Sequence, residues 1–175
     1  MNLDTALATI REIPDFPIPG VLFRDITPLL ANPGAFATVI SALSETSDNY
    51  QAVAGIEARG FILGAALAHK KEVSFVPLRK GGKLPYATHA RSYGLEYGED
   101  VIEVHTDAFK PGQRVLLIDD VLATGGTLAA GIELIRDCGA EVSDVTVLLE
   151  IASLGGREKI VKEFPDITIH ALSVI

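Results

Sequence analysis

A chain of 175 residues with 48% hydrophobic residues is long enough to bury the core of one ordinary globular domain and leaves no room for a second catalytic domain. Its formal net charge of −8 excludes a nucleic-acid coat, and its single cysteine, Cys138, excludes a disulfide framework and a zinc spacing, leaving a packed core thiol as the expectation. No secretory leader pattern opens the chain and no apolar run approaches the roughly 18 residues that span a bilayer, so a cytoplasmic protein with no membrane partner is expected.

In chain order, residues 3–10 are predicted as a short helix with Leu3, Leu7 and Ile10 on one face. Pro14, Pro17 and Pro19 break regular structure, so residues 13–22 are predicted as an apolar covering loop. Asn32-Pro33 is an N-cap and first-turn pair for a helix carrying Phe36, Val39, Ile40 and Leu43 at helical spacing. A strand is expected at 52–56, a helix at 61–69 and a strand at 73–78. After a basic loop come a strand at 101–105, a strand at 115–118 with a helix running to about 138, a strand at 142–150, a short helix from about 154 and a last strand at 167–174. Strands alternating with helices imply right-handed crossovers and a mostly parallel sheet. The expected core is Val53, Ile56, Leu63, Leu67, Val76, Val115, Leu116, Leu117, Ile118, Leu128, Ile132, Ile135, Val145, Val147 and Leu149.

The richest stretch is 114–127, Arg-Val-Leu-Leu-Ile-Asp-Asp-Val-Leu-Ala-Thr-Gly-Gly-Thr. Val115 to Ile118 is an unbroken apolar run, as in a strand buried on both faces. Asp119 and Asp120 at its end are expected to face a crevice and not the core, because burying an unpaired carboxylate costs on the order of several kcal/mol. Thr124-Gly125-Gly126-Thr127 then opens a helix, where unpaired N–H groups and hydroxyls suit a phosphate monoester. Carboxylates beside such a cradle suit ribose hydroxyls or a hydrated metal ion. Asp-Asp alone can start a turn, and Thr-Gly-Gly-Thr alone can be an ordinary helix entry; the combined run favours a phosphorylated sugar. Neither a P-loop nor a dinucleotide-binding glycine pattern is present.

Charge distribution points the same way. Between 73 and 95 there is no Asp or Glu, while Arg79, Lys80, Lys83 and Arg91 give a local +4 that can close on a pyrophosphate-like ligand. At Ile56-Glu57-Ala58-Arg59-Gly60, a second strand-to-helix junction, the arginine fork suits a diphosphate; an interfacial Arg59 paired with Glu57 reads equally well. His69, near a helix end, and His105 and His170, in or beside strands, show no ligand spacing and are expected in structural or surface roles; His89, in the basic loop, is the expected exception.

The 114–127 run resembles the phosphoribosyl pyrophosphate (PRPP) motif of the type I phosphoribosyltransferases. Phe16-Pro17-Ile18-Pro19-Gly20-Val21-Leu22-Phe23-Arg24-Asp25-Ile26-Thr27-Pro28-Leu29-Leu30, Glu57-Ala58-Arg59-Gly60-Phe61, Arg79-Lys80-Gly81-Gly82-Lys83-Leu84-Pro85, Ser92-Tyr93-Gly94-Leu95-Glu96-Tyr97-Gly98 and Ala152-Ser153-Leu154-Gly155-Gly156-Arg157 extend the resemblance over nearly the whole chain and toward the adenine-using branch. The resemblance implies an α/β type I phosphoribosyltransferase fold: a mostly parallel central sheet flanked by helices, one domain over 1–175, a small base-binding hood at 1–30 and a flexible catalytic loop at 80–98. It implies purine salvage, in which adenine and PRPP give AMP and pyrophosphate with Mg²⁺. The Mg²⁺ would be held mainly through PRPP, with no dedicated protein ligands and with Asp119 and Asp120 reached through water. In the same terms Asp119 and Asp120 hold the ribose hydroxyls, and Ala123, Thr124, Gly125, Gly126 and Thr127 hold the phosphate. Glu57, Ala58, Arg59, Arg79, Lys80 and Lys83 form the pyrophosphate subsite, part of it supplied across a homodimer interface. Leu22, Phe23, Arg24, Val121 and Leu122 contact adenine, with Phe23 as aromatic platform and the backbone at Leu22 and Arg24 reading the base edge. Glu96 meets the N7/N9 side of the purine and acts with the aspartates in catalysis, and Tyr97 shields the site. A transferase for another purine base and a PRPP-sensing regulator of the same fold are the alternatives. Phe23-Arg24-Asp25 and the absence of lysine from 140 to 157 speak against the first; Glu96-Tyr97, the acidity and the short chain speak against the second.

Overall fold

The structure, a computed structural model, describes residues 1–94 and 99–175. By its internal contacts the chain divides into two units, Met1–Glu45 and Thr46–Ile175.

The first unit holds helix α1 (Leu3–Leu7), strands β1 (Arg11–Pro14) and β2 (Leu22–Asp25), and helices α2 (Thr27–Ala31) and α3 (Pro33–Leu43). Helix α3 begins as its sequence demands: the Asn32 side chain accepts the N–H groups of Gly34 and Ala35, both at 3.1 Å, and Pro33 fills the first turn. Two expectations are corrected. The first helix stops at Leu7, where the Thr9 hydroxyl donates to the Ala6 carbonyl at 2.6 Å. The span 13–22 is not all loop, because β1 and β2 pair antiparallel with Ile13 opposite Phe23 and Pro14 opposite Leu22. A proline is tolerated there because this ribbon has only two strands and Pro14 sits at the end of one.

The second unit is built on one seven-stranded sheet. It contains β3 (Ala52–Ile56), helix α4 (Arg59–Lys71), β4 (Ser74–Lys80), β5 (Thr88–Gly94), β6 (Glu99–His105), β7 (Arg114–Leu122), α5 (Gly126–Asp137), β8 (Glu141–Glu150), a 3₁₀ turn (Ala152–Leu154), α6 (Gly156–Glu163) and β9 (Thr168–Val174). Sheet order is β5-β6-β4-β3-β7-β8-β9; the run from β4 to β9 is parallel, and β6 pairs antiparallel with β4 and β5. Every residue expected in the core is buried, none more than 8% exposed. Cys138 is only partly buried at the end of α5, packed against the core with its thiol directed at the His105 carbonyl (3.8 Å).

Here too the sequence expectations need amendment. Residues 80–94 are not all loop: Gly81 and Gly82 turn the chain, and Thr88–Gly94 then pairs with β6, placing His89 opposite Val104 in a strand, while 95–98 of the expected loop lie outside the described residues. The hairpin is pinned to α5 by Arg91, whose Nε and Nη2 each donate to the Asp137 carboxylate at 2.8 Å. Strand β7 runs four residues past Ile118, so both aspartates lie within a strand.

The first turn of helix α4 comes close to the β3 backbone at Gly55. A Cβ on Gly55 would lie 2.7 Å from the Gly60 carbonyl oxygen and 2.8 Å from the Phe75 ring. Because the obstacle is backbone, Gly55→Ala should destabilise the fold by roughly 2 kcal/mol and lower the thermal midpoint by about 4–8 °C. Thermal unfolding followed by circular dichroism checks this, and an unchanged midpoint would show that α4 is not seated as described.

Candidate functional site

The site grows from the carboxyl ends of adjacent strands, where open α/β sheets take ligands. Strand β7 lies between β3 and β8, with Gly55 beside Ile118 and Asp119 beside Val147. Past Ile118 its burial alternates: Asp119 and Val121 are half-buried, Asp120 and Leu122 buried. The expectation that neither aspartate would be a core residue is therefore corrected for Asp120, which is 4% exposed. What makes its burial tolerable comes from the next junction. Arg59, at the first position of α4, places Nε 2.8 Å from Asp120 Oδ2. Gly60 lets the helix start come this close, since a Cβ there would meet Asp119 Oδ1 and the Ile118 carbonyl oxygen, both at 3.0 Å.

Burial pushes the Asp119 carboxyl well above the usual carboxylate range, with the neighbouring Asp120 charge adding to it. Asp120 is also pushed up by burial, and Arg59 opposes the shift. The Asp120 N–H donates to Asp119 Oδ1 at 2.8 Å, which fixes the Asp119 side chain.

Beyond β7, Ala123 and Thr124 lead to Gly125, whose φ of +83° glycine adopts without strain, and α5 starts at Gly126 with no side chain capping it. Val121, Leu122, Ala123, Thr124, Gly125, Thr127 and Leu128 line a concavity of about 60 Å³. An uncapped helix start beside hydroxyls is an anion site. The Leu122 side chain also packs into the core at 1% exposure, and Val121 is half-buried.

The basic side is already organised. Arg79 Nε lies 3.3 Å from Glu57 Oε2 and its Nη1 donates to the Lys83 carbonyl at 3.1 Å. The Lys80 N–H donates to Glu57 Oε2 at 2.9 Å, and this bond, helped by Arg79, holds the Glu57 carboxyl below its ordinary range. Lys80 Nζ reaches Asp100 at 3.3 Å. The junction read two ways in the sequence thus shows Arg59 against Asp120 and Arg79 against Glu57. Ala58 caps α4 and joins Glu57 by a cis peptide bond.

In the first unit, Leu22, Phe23 and Arg24 lie on β2, with Phe16 packing edge-on against the Phe23 ring at 5.1 Å and Arg24 ion-paired to Glu12. Glu96 and Tyr97 lie outside the described residues. Sequence reading missed three contacts. Glu150, 5% exposed, pairs with Arg157; Gly156 touches the loop after β7; and Tyr93 packs beside Gly126. Each joins residues far apart in the chain or of unremarkable type, and only the Gly155-Gly156 pair signalled a close backbone approach. Among the described residues no cluster of three or more His, Cys, Asp or Glu could hold a metal ion.

The phosphoribosyl transferase domain model matches residues 25–173. An adenine phosphoribosyltransferase of Saccharopolyspora erythraea is 52% identical, over 98% of this chain and 91% of that relative. Among solved structures, the adenine phosphoribosyltransferase of Rhodothermus marinus is 47% identical with a TM-score of 0.90, covering 99% of this chain and 98% of that one. The enzyme of Thermoanaerobacter pseudethanolicus is 43% identical with a TM-score of 0.94, covering 99% and 100%.

The raised Asp119 carboxyl has a consequence for stability. An unfolded chain releases that proton near pH 4, whereas the folded chain keeps it to higher pH. Across this window the folded state binds more protons, so stability falls as pH rises and stays lower above it. Asp119→Asn keeps the acceptor for the Asp120 N–H and cannot ionise. The variant should melt higher than the parent at pH 8, and the two midpoints should converge at about pH 4. Thermal unfolding at both pH values checks this; a variant that melts lower at both would refute the reading of a destabilising buried charge.

Proposed function

The chain belongs to the phosphoribosyl transferase family, and from that premise we propose how its residues divide the work. The activity is that of an adenine phosphoribosyltransferase, a pentosyltransferase of purine salvage: adenine and PRPP give AMP and pyrophosphate. One observation carries the residue assignment: the carboxylate pair lies near the carboxyl end of β7, a short loop leads from that strand into an uncapped helix start, and the pair is met by an arginine from the neighbouring strand-to-helix junction.

In the transfer, the bond from the anomeric carbon to pyrophosphate oxygen breaks and N9 of adenine takes that carbon, with positive charge building on the ribose between the two events. Asp119 and Asp120 accept the ribose 2′ and 3′ hydroxyls and tolerate that charge. Ala123, Thr124, Gly125, Gly126 and Thr127 hold the 5′-phosphate through N–H and hydroxyl donors. Arg59, Arg79, Lys80 and Lys83, with Glu57 and Ala58 shaping the turn, receive the pyrophosphate and favour its departure. Two carboxylates raised by burial are short of positive charge, which fits a hydrated dication. Asp119 and Asp120 would help hold Mg²⁺ brought with PRPP, and the ion would supply positive charge against the leaving diphosphate.

Phe23 serves as the aromatic platform for adenine, steadied by Phe16, and the backbone of Leu22 and Arg24 reads its 6-amino and N1 edge. Glu96 takes part in proton transfer at the purine and Tyr97 shields it, assignments that rest on the resemblance alone, as do the homodimer and the cytoplasm as its place of action.

With purified protein, PRPP and Mg²⁺, product is expected from adenine and not from hypoxanthine, guanine or xanthine. Product only with a 6-oxopurine would overturn the Phe23-Arg24 reading, and none with any base would overturn the activity. Asp119→Asn with Asp120→Asn should lower turnover at least about a hundredfold with the fold intact.

A further inference from the structure

We propose that Lys159 supplies the counter-charge of the phosphate cradle, binding the 5′-phosphate of PRPP and AMP; the inference rests on the assignment of Ala123–Thr127 as that cradle. The cradle residues carry no cation of their own. A phosphate monoester brings a charge of about −1.5 to −2, against about +0.5 at a helix start. The cradle thus lacks a positive group, and helix α6 delivers one.

The delivery is geometric. Gly156 opens α6 in direct contact with the cradle backbone: a Cβ on Gly156 would lie 3.0 Å from the Gly125 nitrogen, and one on Gly125 would lie 2.9 Å from the Gly156 oxygen. Residues three apart on a helix share a face, so the side chain that rises beside this contact is Lys159. Its Nζ lies 3.9 Å from the point a Cβ on Gly126 would occupy, and the Tyr93 ring flanks the same point at 4.0 Å. The ammonium is exposed and makes no ion pair among the described residues, so its charge is not already spoken for.

The helix that carries Lys159 is tied down at its first turn. Arg157 Nε donates to the two oxygens of Glu150 at 2.9 and 3.0 Å, and its Nη1 donates to the Ile169 carbonyl at 3.0 Å. Glu150 is buried and holds Arg157, which is half-exposed, through several hydrogen bonds, and this anchor keeps the root of Lys159 beside the cradle. Lys162, one turn on, is the natural control because its removal changes the net charge equally.

The test is titration of AMP into parent, Lys159→Gln, Lys159→Arg, Lys162→Gln and Thr124→Val/Thr127→Val proteins, with KM for PRPP and adenine measured alongside. Lys159→Gln should weaken AMP about tenfold and raise KM for PRPP similarly. It should leave KM for adenine and the thermal midpoint unchanged, and its deficit should shrink in high salt. Lys159→Arg should bind AMP within about threefold of the parent, and Lys162→Gln should match the parent. An AMP affinity for Lys159→Gln within twofold of the parent, or an equal loss in Lys162→Gln, overturns the proposal. If the threonine double variant binds AMP weakly while Lys159→Gln does not, Lys159 alone is misassigned. If neither variant weakens AMP, the cradle assignment itself falls.

Discussion

Two adjacent carboxylates lie near the carboxyl end of β7, an interior strand of the sheet, one of them buried, and the architecture around them answers that constraint. A carboxylate out of water must be neutralised, protonated or hydrogen-bonded. Here Asp120 is met by Arg59, and Asp119 is left with its carboxyl pushed up by burial. The arginine can arrive only because β3 neighbours β7 in parallel, so that the helix following β3 starts at the same edge of the sheet. It can arrive close enough only because Gly60 has no side chain to strike the Ile118 carbonyl. Strand order, helix start and one glycine therefore serve a single electrostatic requirement.

The same logic of close backbone approach governs the other side of the loop. Gly125 and Gly156 bring the starts of α5 and α6 together, and the Glu150–Arg157 pair fixes the second helix in place. The start of α5 opens on one small concavity, and the start of α6 packs against the loop that forms it. A half-buried ion pair is a poor source of net stability compared with apolar packing, but it is directional. Positioning α6 relative to the cradle is a use for which direction matters more than energy.

Much of this was legible in the chain itself, for identifiable reasons. The apolar run 115–118 reads as a buried strand because it has no polar face, and the glycine-rich turn after it declares a helix start. The core residues follow from the same runs and all are buried. What the sequence hid was whatever depends on a partner distant in the chain. Asp120 reads as a crevice residue until Arg59, 61 positions earlier, is seen beside it. Thr88–Gly94 reads as loop because its charge and small residues suggest mobility, yet pairing with β6 and the Arg91–Asp137 contact make it a strand. Leu122 lines the concavity beside the cradle and is also buried in the core, a double place that alternation along β7 sets and the sequence does not announce.

An acidic protein that takes a polyanion needs its cations held against long-range repulsion, and the pairing pattern shows how. Arg59, Arg79 and Lys80 each sit against a carboxylate: Asp120, Glu57 and Asp100. Such pairs orient the cations before substrate comes, so less side-chain freedom is lost on binding than free surface lysines would lose. They also set a threshold. A ligand must interact with these cations well enough to compete with carboxylates already in place, which a diphosphate with several oxygens does better than a lone monoanion. The net charge of −8 then acts as a filter on weak anions and not as a barrier to PRPP.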